Sequence, residues 1–454
     1  MLTLSYAAAA AAMFAAALYL FLRLRLYLTT TTMFVGSLLL VYGPASLSFT
    51  LSSGEYGFLV RPLLGDIFVP SSMFPMMKAK IGDLDSVITA VNFSLALMYL
   101  GVIAGIESIN RLFPARAGIT DAGLASWSHQ PPRDDKRDHQ LLLVVVAALF
   151  LIMLFFSIRE NHIGTIEHFF SIKEDNDARN AFRARSSGSP NYLYRAILGA
   201  VAPMFVIWGL LAGLLSRSWP LLVAVSLLFL VTMVGKIETL SKAPPAFFLL
   251  QIMLAGLLTQ TNKVSLKIAA LGVVVLALVI YVTTRLIIIF PPGVSAIEAA
   301  YSRLFEVESE TLVENFAVFP RLHPFMWGAN IRPIAMLMGV PYVAAFNIVG
   351  YTWYGSHDIT SPSLFIADAW ADFSYAGVVA FSIVAGAICR GLDVVFLTRG
   401  KTVVAIAVLA ATSLGVLTLL TTALNIALVT GGLLLAPALA GALLMATRGL
   451  NRAA

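Results

Sequence analysis

The chain has 454 residues, of which 59% are hydrophobic and only 12% are charged, and its formal net charge is +6. This composition excludes an ordinary soluble globular domain and indicates an integral membrane protein. The single cysteine, Cys389, excludes both a disulfide framework and a cysteine metal site.

Apolar runs recur along the chain and reach the roughly 20 residues that a helix needs to cross a hydrocarbon core. Helical spans explain them better than the alternating strands of a barrel. We predict an all-α bundle of about eleven transmembrane helices that forms a single unit over residues 1–454. The first apolar run has no basic start and no cleavage site, so we predict a retained helix there. The predicted spans are 4–28, 32–50, 85–112, 140–158, 192–216, 219–235, 245–261, 265–290, 364–389, 402–423 and 425–446.

Short flanks rich in Lys and Arg set the orientation of such a bundle. Placing them in the cytoplasm puts the N-terminus outside, makes 113–139 a solvated cytoplasmic loop, and makes 159–191 and 291–363 external loops. The basic flanks are 23–25, 216–218, 390–401, Arg448 and Arg452.

One apolar stretch, residues 333–351, would invert every later helix if it crossed the membrane. Pro341 interrupts this stretch. We therefore predict a short re-entrant or surface-lying helical hairpin within the large external loop, buried against protein.

Cationic side chains gather in the predicted external loops. Arg179 and Arg183, four residues apart, would share one helix face and could bind one multivalent anion, although ion pairs with neighbouring acidic residues explain them equally well. Lys242 precedes Ala-Pro-Pro and an apolar run, which suits an anion site at a helix N-terminus. For Lys236 we expect a side chain that reaches out to the membrane interface.

The stretch FAVFPRLHPFMWGANIRP, residues 316–333, places Arg321, His323 and Arg332 among aromatic residues and prolines. Apolar neighbours exclude water, and an arginine binds phosphate more strongly as the local dielectric falls. Arg303 lies a little earlier in the same loop. The intervening glutamates offer an alternative, in which local salt bridges occupy the arginines; they are Glu306, Glu308, Glu310 and Glu314.

Asp368 and Asp372 are one helical turn apart at the external start of a predicted span. They could act as a general base or hold a sugar hydroxyl, whereas compensation of the helix dipole is the alternative. Nucleotide, zinc and serine-hydrolase motifs do not occur in the context that they require. We therefore expect no metal ion or other cofactor.

Three segments, in this order along the chain, resemble the sequence motifs of a known protein family. LSKAPPAFFLLQIML, residues 240–254, is similar to a helix start with a basic residue, here Lys242, after a short external loop. The loop 291–363 is similar to a catalytic loop with an arginine near its start and further basic residues. SPSLFIADAWADFSYAGVVAFSIVAGAICRGL, residues 361–392, is similar to a Pro-Ser, acidic and aromatic-Gly pattern that leads into a helix. Together they resemble the Wzy-type oligosaccharide repeat-unit polymerases of the O-antigen polymerase and ligase superfamily.

Two positions depart from the family pattern. Lys242 stands where arginine is more frequent, which keeps the charge but loses the bidentate geometry. Ser374, Tyr375 and Ala376 stand where a single glycine is usual.

The resemblance implies a GT-C-like, metal-independent glycosyltransferase of the bacterial inner membrane with its active site towards the periplasm. It would move a growing glycan from undecaprenyl diphosphate to a new lipid-linked repeat unit, for O-antigen, capsule or exopolysaccharide synthesis. The expected partners are the lipid-linked oligosaccharide, the bilayer, and flippase and chain-length regulator proteins, and no nucleic acid. An O-antigen ligase, which transfers glycan to lipid A-core, and more distantly a transporter of polysaccharide or lipid, are the alternatives.

The same reasoning assigns roles within the site. His323 is the expected base with Asp368 behind it, and Arg321 completes the catalytic group. The side chains expected to bind the diphosphate are Lys242, Arg303, Arg332, Arg179 and Arg183.

Overall fold

A computed structural model describes residues 1–53, 73–134, 139–172, 178, 192–238, 243–263, 274, 306–355 and 361–453. The regular structure in these residues is helical, and β-pairing is limited to two isolated bridges. The helices are α1 Leu2–Leu22, α2 Thr30–Val41, α3 Pro44–Ser53, α4 Met73–Ile81, α5 Leu84–Leu112, α6 Pro114–Ser126, α7 His139–Arg159, α8 His162–Ser171, α9 Tyr192–Ser216, α10 Trp219–Glu238, α11 Ala243–Gln260, α12 Val307–Val318, α13 Arg332–Met338, α14 Ala345–Tyr354, α15 Phe365–Leu397, α16 Val403–Leu419, α17 Leu424–Val429 and α18 Leu435–Ala453.

Seven helical segments of the described residues are long and apolar enough to cross a membrane. They are α1, the α2–α3 segment Thr30–Leu51, α5, α7, α9, α10 and α15, and three shorter apolar helices lie in α11, α16 and α18. The predicted helical, multi-pass membrane character is therefore confirmed at this level. The total of about eleven spans stays a prediction, because most of the span 265–290 lies outside the described residues.

Polar residues at the predicted boundaries start several helices. The side chains of Thr29, Asp83 and Thr402 each accept a hydrogen bond, at 3.1 Å, from the backbone N–H three residues further on. Such caps satisfy N–H groups that the first helical turn leaves free. The starts of α2, α5 and α16 thus follow from local sequence.

Three of the long helices, α1, α5 and α15, run in the same direction. Ser5 bonds Asn92 at 3.2 Å and Tyr19 bonds Glu107 at 2.5 Å, so that α1 and α5 are parallel. A Cβ on Gly105 would lie 2.0 Å from a backbone oxygen of α15, and one on Gly386 would lie 2.3 Å from a backbone oxygen of α5. Glycine therefore allows these two helices to pack backbone against backbone, as small residues do in membrane bundles.

Loops from distant parts of the sequence meet at one end of the bundle, here called the far end (residues 23–29, 124–133, 261–263 and 390–402). Asn262 joins two of them, because its backbone oxygen accepts from Leu28 N at 2.6 Å and its side chain donates to Leu124 O at 2.8 Å. Arg133 N donates to Lys401 O at 2.8 Å.

The opposite or near end contains residues 80–86, 319–355 and 361–372. There Arg321 Nη2 donates to Ser86 Oγ at 2.5 Å, and Lys80 Nζ donates to Thr352 O at 2.7 Å. The basic flanks 23–25 and 390–401 lie at the far end and the described part of the loop 291–363 lies at the near end. This division is compatible with the predicted topology, and the compartment that each end faces stays a prediction.

The apolar stretch 333–351 forms two short helices, α13 and α14, of 7 and 10 residues. Neither reaches the length that crosses a hydrocarbon core. The chain thus forms two short helices here, and their pairing as a hairpin and their depth in the membrane stay predictions. The predicted single span 425–446 is wrong: α17 ends at Val429, and α18 starts after a turn in which Gly432 has φ +81°.

Candidate functional site

The structure places the predicted site residues in two groups. Lys242, Arg303, Arg179 and Arg183 lie outside the described residues, and their predicted roles stay predictions. Arg321, His323, Arg332 and Asp368 all lie at the near end, around the first turns of α15.

Helix α15 is broken near its start, and the break shapes the site. Phe373 and Ser374 leave the helical conformation, and Ser374 has φ 56° and ψ −147°. A Cβ on Gly377 would lie 2.2 Å from Ala369 O, so only glycine fits where the second half of the helix passes the first. The break separates a short first segment, residues 365–372, from the long remainder.

The loop 319–331 lies over the end of this first segment. Met326 N donates to Ala371 O at 2.9 Å, and Trp327 N donates to Asp372 O at 3.1 Å. These bonds satisfy carbonyl groups that the helix break leaves without intrahelical donors. The loop that carries the predicted catalytic group is therefore fixed to α15 by its backbone.

The Asp372 carboxylate fixes the loop a second time. Its Oδ1 accepts from Gly328 N at 2.9 Å and from Asn330 N at 3.4 Å, and the side chain is fully buried. Its Oδ2 has no hydrogen-bond partner in the part of the chain that the structure describes. A carboxylate at the C-terminal end of a helical segment opposes the dipole, and the two loop N–H groups offset that cost.

Asp368 lies one turn earlier and is also buried. Its Oδ1 accepts from Asn330 Nδ2 at 2.6 Å, and Asn330 Oδ1 in turn accepts from Ala345 N at 2.9 Å. Asn330 thus joins three elements: the broken helix α15, the loop and the start of α14. The sequence predicted the spacing of the two aspartates, but it gave no signal for Asn330, which is 38 residues from Asp368 along the chain.

Arg332 is the first residue of α13 and is exposed. Its guanidinium carbon lies 5.4 Å from the centre of the Tyr342 ring. Partial burial and the nearby Asp368 carboxylate raise the pKa of Tyr342 above its ordinary value, while Arg332 acts in the opposite direction. Arg332 and the aspartate pair therefore lie close to the same tyrosine.

Arg321 lies at the opposite edge of the site, beside the start of α5. Its bond to Ser86 places its charge close to Asp83, whose pKa is lowered first by hydrogen bonds from Ser86 and in smaller part by Arg321. Neither Arg321 nor Arg332 forms an ion pair with a carboxylate among the described residues. Both guanidinium groups can therefore bind an anion.

His323, which lies between these two arginines in the sequence, is half-buried. Its Nδ1 lies 2.8 Å from Pro324 O, and its ring meets Phe319 edge-on at 5.4 Å between centroids. Because a carbonyl oxygen only accepts, Nδ1 carries the proton in this bond, and Nε2 of the neutral ring keeps its lone pair. In a neutral ring this bond leaves Nε2 as the nitrogen that can accept a proton.

Aromatic rings form the wall between the arginines and the aspartates. Trp370 stacks on Phe316 at 4.5 Å and meets Tyr375 at 4.9 Å and Phe325 at 5.6 Å. Trp327 in the loop is 63% exposed. The site therefore combines an apolar wall with exposed cations, as the composition of the stretch 316–333 predicts.

Glu314 shows that the acidic run of this loop does not occupy Arg321 or Arg332. It is buried on α12 and accepts from Tyr354 Oη at 2.7 Å and from the Ser361 hydroxyl. Burial raises its pKa to about 7. The sequence offered salt bridges as an alternative use of these glutamates, and Glu314 instead joins α12 to α14 through hydroxyl groups.

We expected Lys236 to reach out to the membrane interface, but the structure buries it within the bundle. It is 2% exposed, and its ammonium lies 5.4 Å from the centre of the Phe248 ring. Helix α11 covers it, a long-range contact that local sequence does not reveal. Among the described residues, no three histidine, cysteine or acidic side chains cluster closely enough to hold a metal ion.

Comparisons with known proteins identify no relative: neither a family model, nor a curated protein, nor a solved structure matches the chain. The site geometry and the short sequence motifs therefore carry the functional argument.

Proposed function

We propose that the chain is a membrane glycosyltransferase that polymerises oligosaccharide repeat units linked to undecaprenyl diphosphate. The observation that carries this proposal is the pair Arg321 and Arg332, two exposed cations without carboxylate partners in the described chain, on one loop fixed at the near end of an apolar bundle. A lipid-linked diphosphate needs cations at the end of the membrane-spanning region and an apolar surface beside them. The motifs in the segments 240–254 and 361–392 supply the choice of glycan chemistry.

In the proposed reaction, an acceptor sugar hydroxyl attacks the anomeric carbon of the growing glycan. A carbon–oxygen bond forms there while the bond to the diphosphate oxygen breaks, and the diphosphate leaves with the electron pair. Arg321 and Arg332 stabilise the negative charge that develops on it. His323 Nε2 takes the proton of the attacking hydroxyl.

Asp368 and Asp372 have a positioning role in this proposal. Their carboxylates are buried, and the described contacts of both are with the loop that carries the arginines. The exposed Trp327 offers a flat apolar surface for a sugar ring. Met336 and Leu337 on α13, 76% and 88% exposed, offer contact to the isoprenoid chain or to the surrounding lipid.

The test places Arg321→Ala and Arg332→Ala variants in a strain that lacks its own polymerase, with surface glycan examined on gels. We expect each variant to lose the ladder of long chains and to accumulate single lipid-linked repeat units, because removal of one such charge costs about 10²-fold in rate. Arg159→Ala, an exposed arginine at the end of α7, is the matched control and should keep a full ladder. A full ladder from all three variants would refute the proposal. Loss of every sugar attached to lipid A, single units included, would instead indicate a ligase.

A second test separates the base from the positioning residues. We expect His323→Gln to lower the turnover of purified protein by about 10²-fold or more without a change in thermal stability. Asp368→Asn should lower thermal stability as well, because it disturbs the bond from Asn330. If His323→Gln keeps the wild-type turnover and Asp368→Asn loses it at a temperature where it stays folded, the base is Asp368.

A further inference from the structure

A polar cavity of about 250 Å³ lies at the far end of the bundle, away from the site described above. The end of α1, the start of α2, and residues of α5, α6 and α15 form its walls. The side chains that matter here are Arg23, Arg25, Tyr27, Asn110, Asp121 and Arg390. From Asp372 to Arg390 along α15 the separation is roughly 27 Å, at 1.5 Å per helical residue.

Arg390 forms the inner wall of the cavity and is only 3% exposed. Its Nε donates to Asn110 Oδ1 at 2.7 Å, and its Nη2 donates to Asp121 Oδ1 at 2.9 Å. These bonds hold the planar guanidinium in one orientation. A fixed fork of this kind is preorganised for a phosphate oxygen, because little side-chain freedom remains to be lost on binding.

The two other arginines form the outer wall and are exposed. Arg23 Nε lies 3.7 Å from Glu107 Oε1, whereas Arg25 has no carboxylate partner in the described parts of the chain. The ammonium of Lys263 adds a further positive charge, 5.7 Å from the centre of the Tyr27 ring. The four cations around the cavity therefore outnumber the three carboxylates near them, which are Asp121, Glu107 and Asp393.

The backbone at this wall adopts a conformation that side chains disfavour. Arg25 and Leu26 have φ values of 53° and 54°, and the bond from Leu28 N to Asn262 O at 2.6 Å fixes the chain directly after them. Two consecutive residues in this region are disfavoured, because their Cβ atoms crowd the backbone there. The turn brings Arg25 to the cavity instead of letting α1 continue.

The cavity opens where an exposed apolar surface of α1 ends. Phe21 and Leu22, on the last turn of α1, are 60% and 68% exposed, and Leu22 also lines the cavity. An apolar exposed helix face followed at once by arginines matches the order of acyl chain and headgroup in a bilayer. We propose that this cavity binds the phosphate group of an anionic membrane lipid, held by Arg23, Arg25 and Arg390.

The experiment measures lipid binding to the full chain in detergent by native mass spectrometry, with phosphatidylglycerol and phosphatidylcholine as probes. We expect phosphatidylglycerol to bind more tightly, and Arg25→Gln to weaken that binding about ten-fold, the loss of one charge-assisted bond. Arg25→Lys should restore most of it. Arg116→Gln, an exposed arginine on α6 that does not line the cavity, is the matched control and should bind like the wild type.

Inorganic phosphate and glycerol phosphate test the source of the phosphate group. If either displaces phosphatidylglycerol at equal concentration, the acyl chains contribute nothing and the lipid assignment is overturned. Equal phosphatidylglycerol binding by the wild type, Arg25→Gln and Arg116→Gln would overturn the site itself. Far-ultraviolet circular dichroism checks that Arg25→Gln keeps its fold, so that a loss of binding reports on the cavity.

Discussion

Asn330 makes three hydrogen bonds that join separate elements, two through its side chain and one through its backbone N–H. Its amide donates to Asp368, its carbonyl oxygen accepts from Ala345 N, and its backbone N–H donates to Asp372. Because both aspartates are buried, each depends on such donors for the stability of its charge or its proton. The position of the arginine loop therefore depends on this residue more than on any local turn preference.

We expect Asn330→Ala to lower the free energy of unfolding by about 2–4 kcal/mol, because it removes two side-chain bonds and leaves the Asp368 carboxyl without its donor. The measurement is thermal or chemical unfolding of the purified protein in detergent. Asn347→Ala, an exposed asparagine on α14, is the control and should change stability by less than about 0.5 kcal/mol. Equal stability of the two variants would show that the aspartates find other donors.

Glu314 gives the near end a pH dependence. Burial raises its pKa from 4.5 to about 7, so that the folded state keeps a proton that the unfolded state releases above about pH 4.5. The contribution of this group to stability is therefore fully present below about pH 4.5 and is lost as pH rises to about 7.

As pH rises from about 4.5 to about 7, we expect the unfolding free energy of the wild type to fall by up to about 3 kcal/mol relative to that of Glu314→Gln. Above about pH 8 the difference should be constant, since both states of the wild type are then ionised. Unfolding measured at several pH values in the same detergent checks this. A difference that does not vary with pH would show that Glu314 titrates normally.

Helix α15 behaves as two elements joined at Ser374. The backbone of Ser374, at φ 56° and ψ −147°, lies in a region that only glycine occupies readily. The motif that the segment 361–392 resembles has glycine near this position, and this chain departs from it. The structure therefore places a strained serine at the hinge between the aspartates and the membrane-crossing part of the helix.

Ser374→Gly should raise the unfolding free energy by about 1 kcal/mol, since relief of backbone strain exceeds the added freedom of the unfolded chain. The same substitution at Ser413, inside the regular helix α16, should lower it by about 0.5 kcal/mol. Unfolding of both variants beside the wild type is the measurement. Destabilisation by Ser374→Gly would mean that the serine hydroxyl contributes more than the strain costs.

Hydropathy predicted the helical elements well where an apolar run is long and continuous. The predicted span 192–216 coincides with α9, Tyr192–Ser216. The predicted end of α15 at residue 389 was too early, because Arg390 and Asp393 continue the helix with buried bonds to other elements. A polar residue whose hydrogen-bond partners lie on other helices resembles, in sequence alone, the end of a transmembrane span.

For the molecule as a whole, sequence order predicted which loops share an end but not which side chains meet there. The aspartate spacing and the arginines of 321–332 were visible because they are local. The contacts of Arg321 with Ser86 and of Asn330 with Asp368 join residues 235 and 38 positions apart. Such contacts depend on the parallel packing of α5 and α15, which no single segment encodes.

The orientation of the bundle can be tested with cysteine labelling, because the single Cys389 is buried. In a Cys389→Ser background, we expect Leu337→Cys at the near end to react with an impermeant maleimide on intact cells with a permeable outer layer. Arg116→Cys at the far end should react only after the inner membrane is opened. The reverse pattern would mean that the near end faces the cytoplasm and that the orientation predicted from charge is wrong.

Helix α13 has only 7 residues, which corresponds to a length of about 10 Å. Arg332 is its first residue, and the exposed apolar residues Leu337 and Met338 form its last turn. The distance between the cation and this apolar end is therefore similar to the depth of a lipid headgroup layer, roughly 5–8 Å. With the apolar end among acyl chains, the guanidinium stands at the level of lipid phosphates. In that orientation α13 would set the height of the arginine loop relative to the hydrocarbon core, and we expect access to the site to change with bilayer thickness.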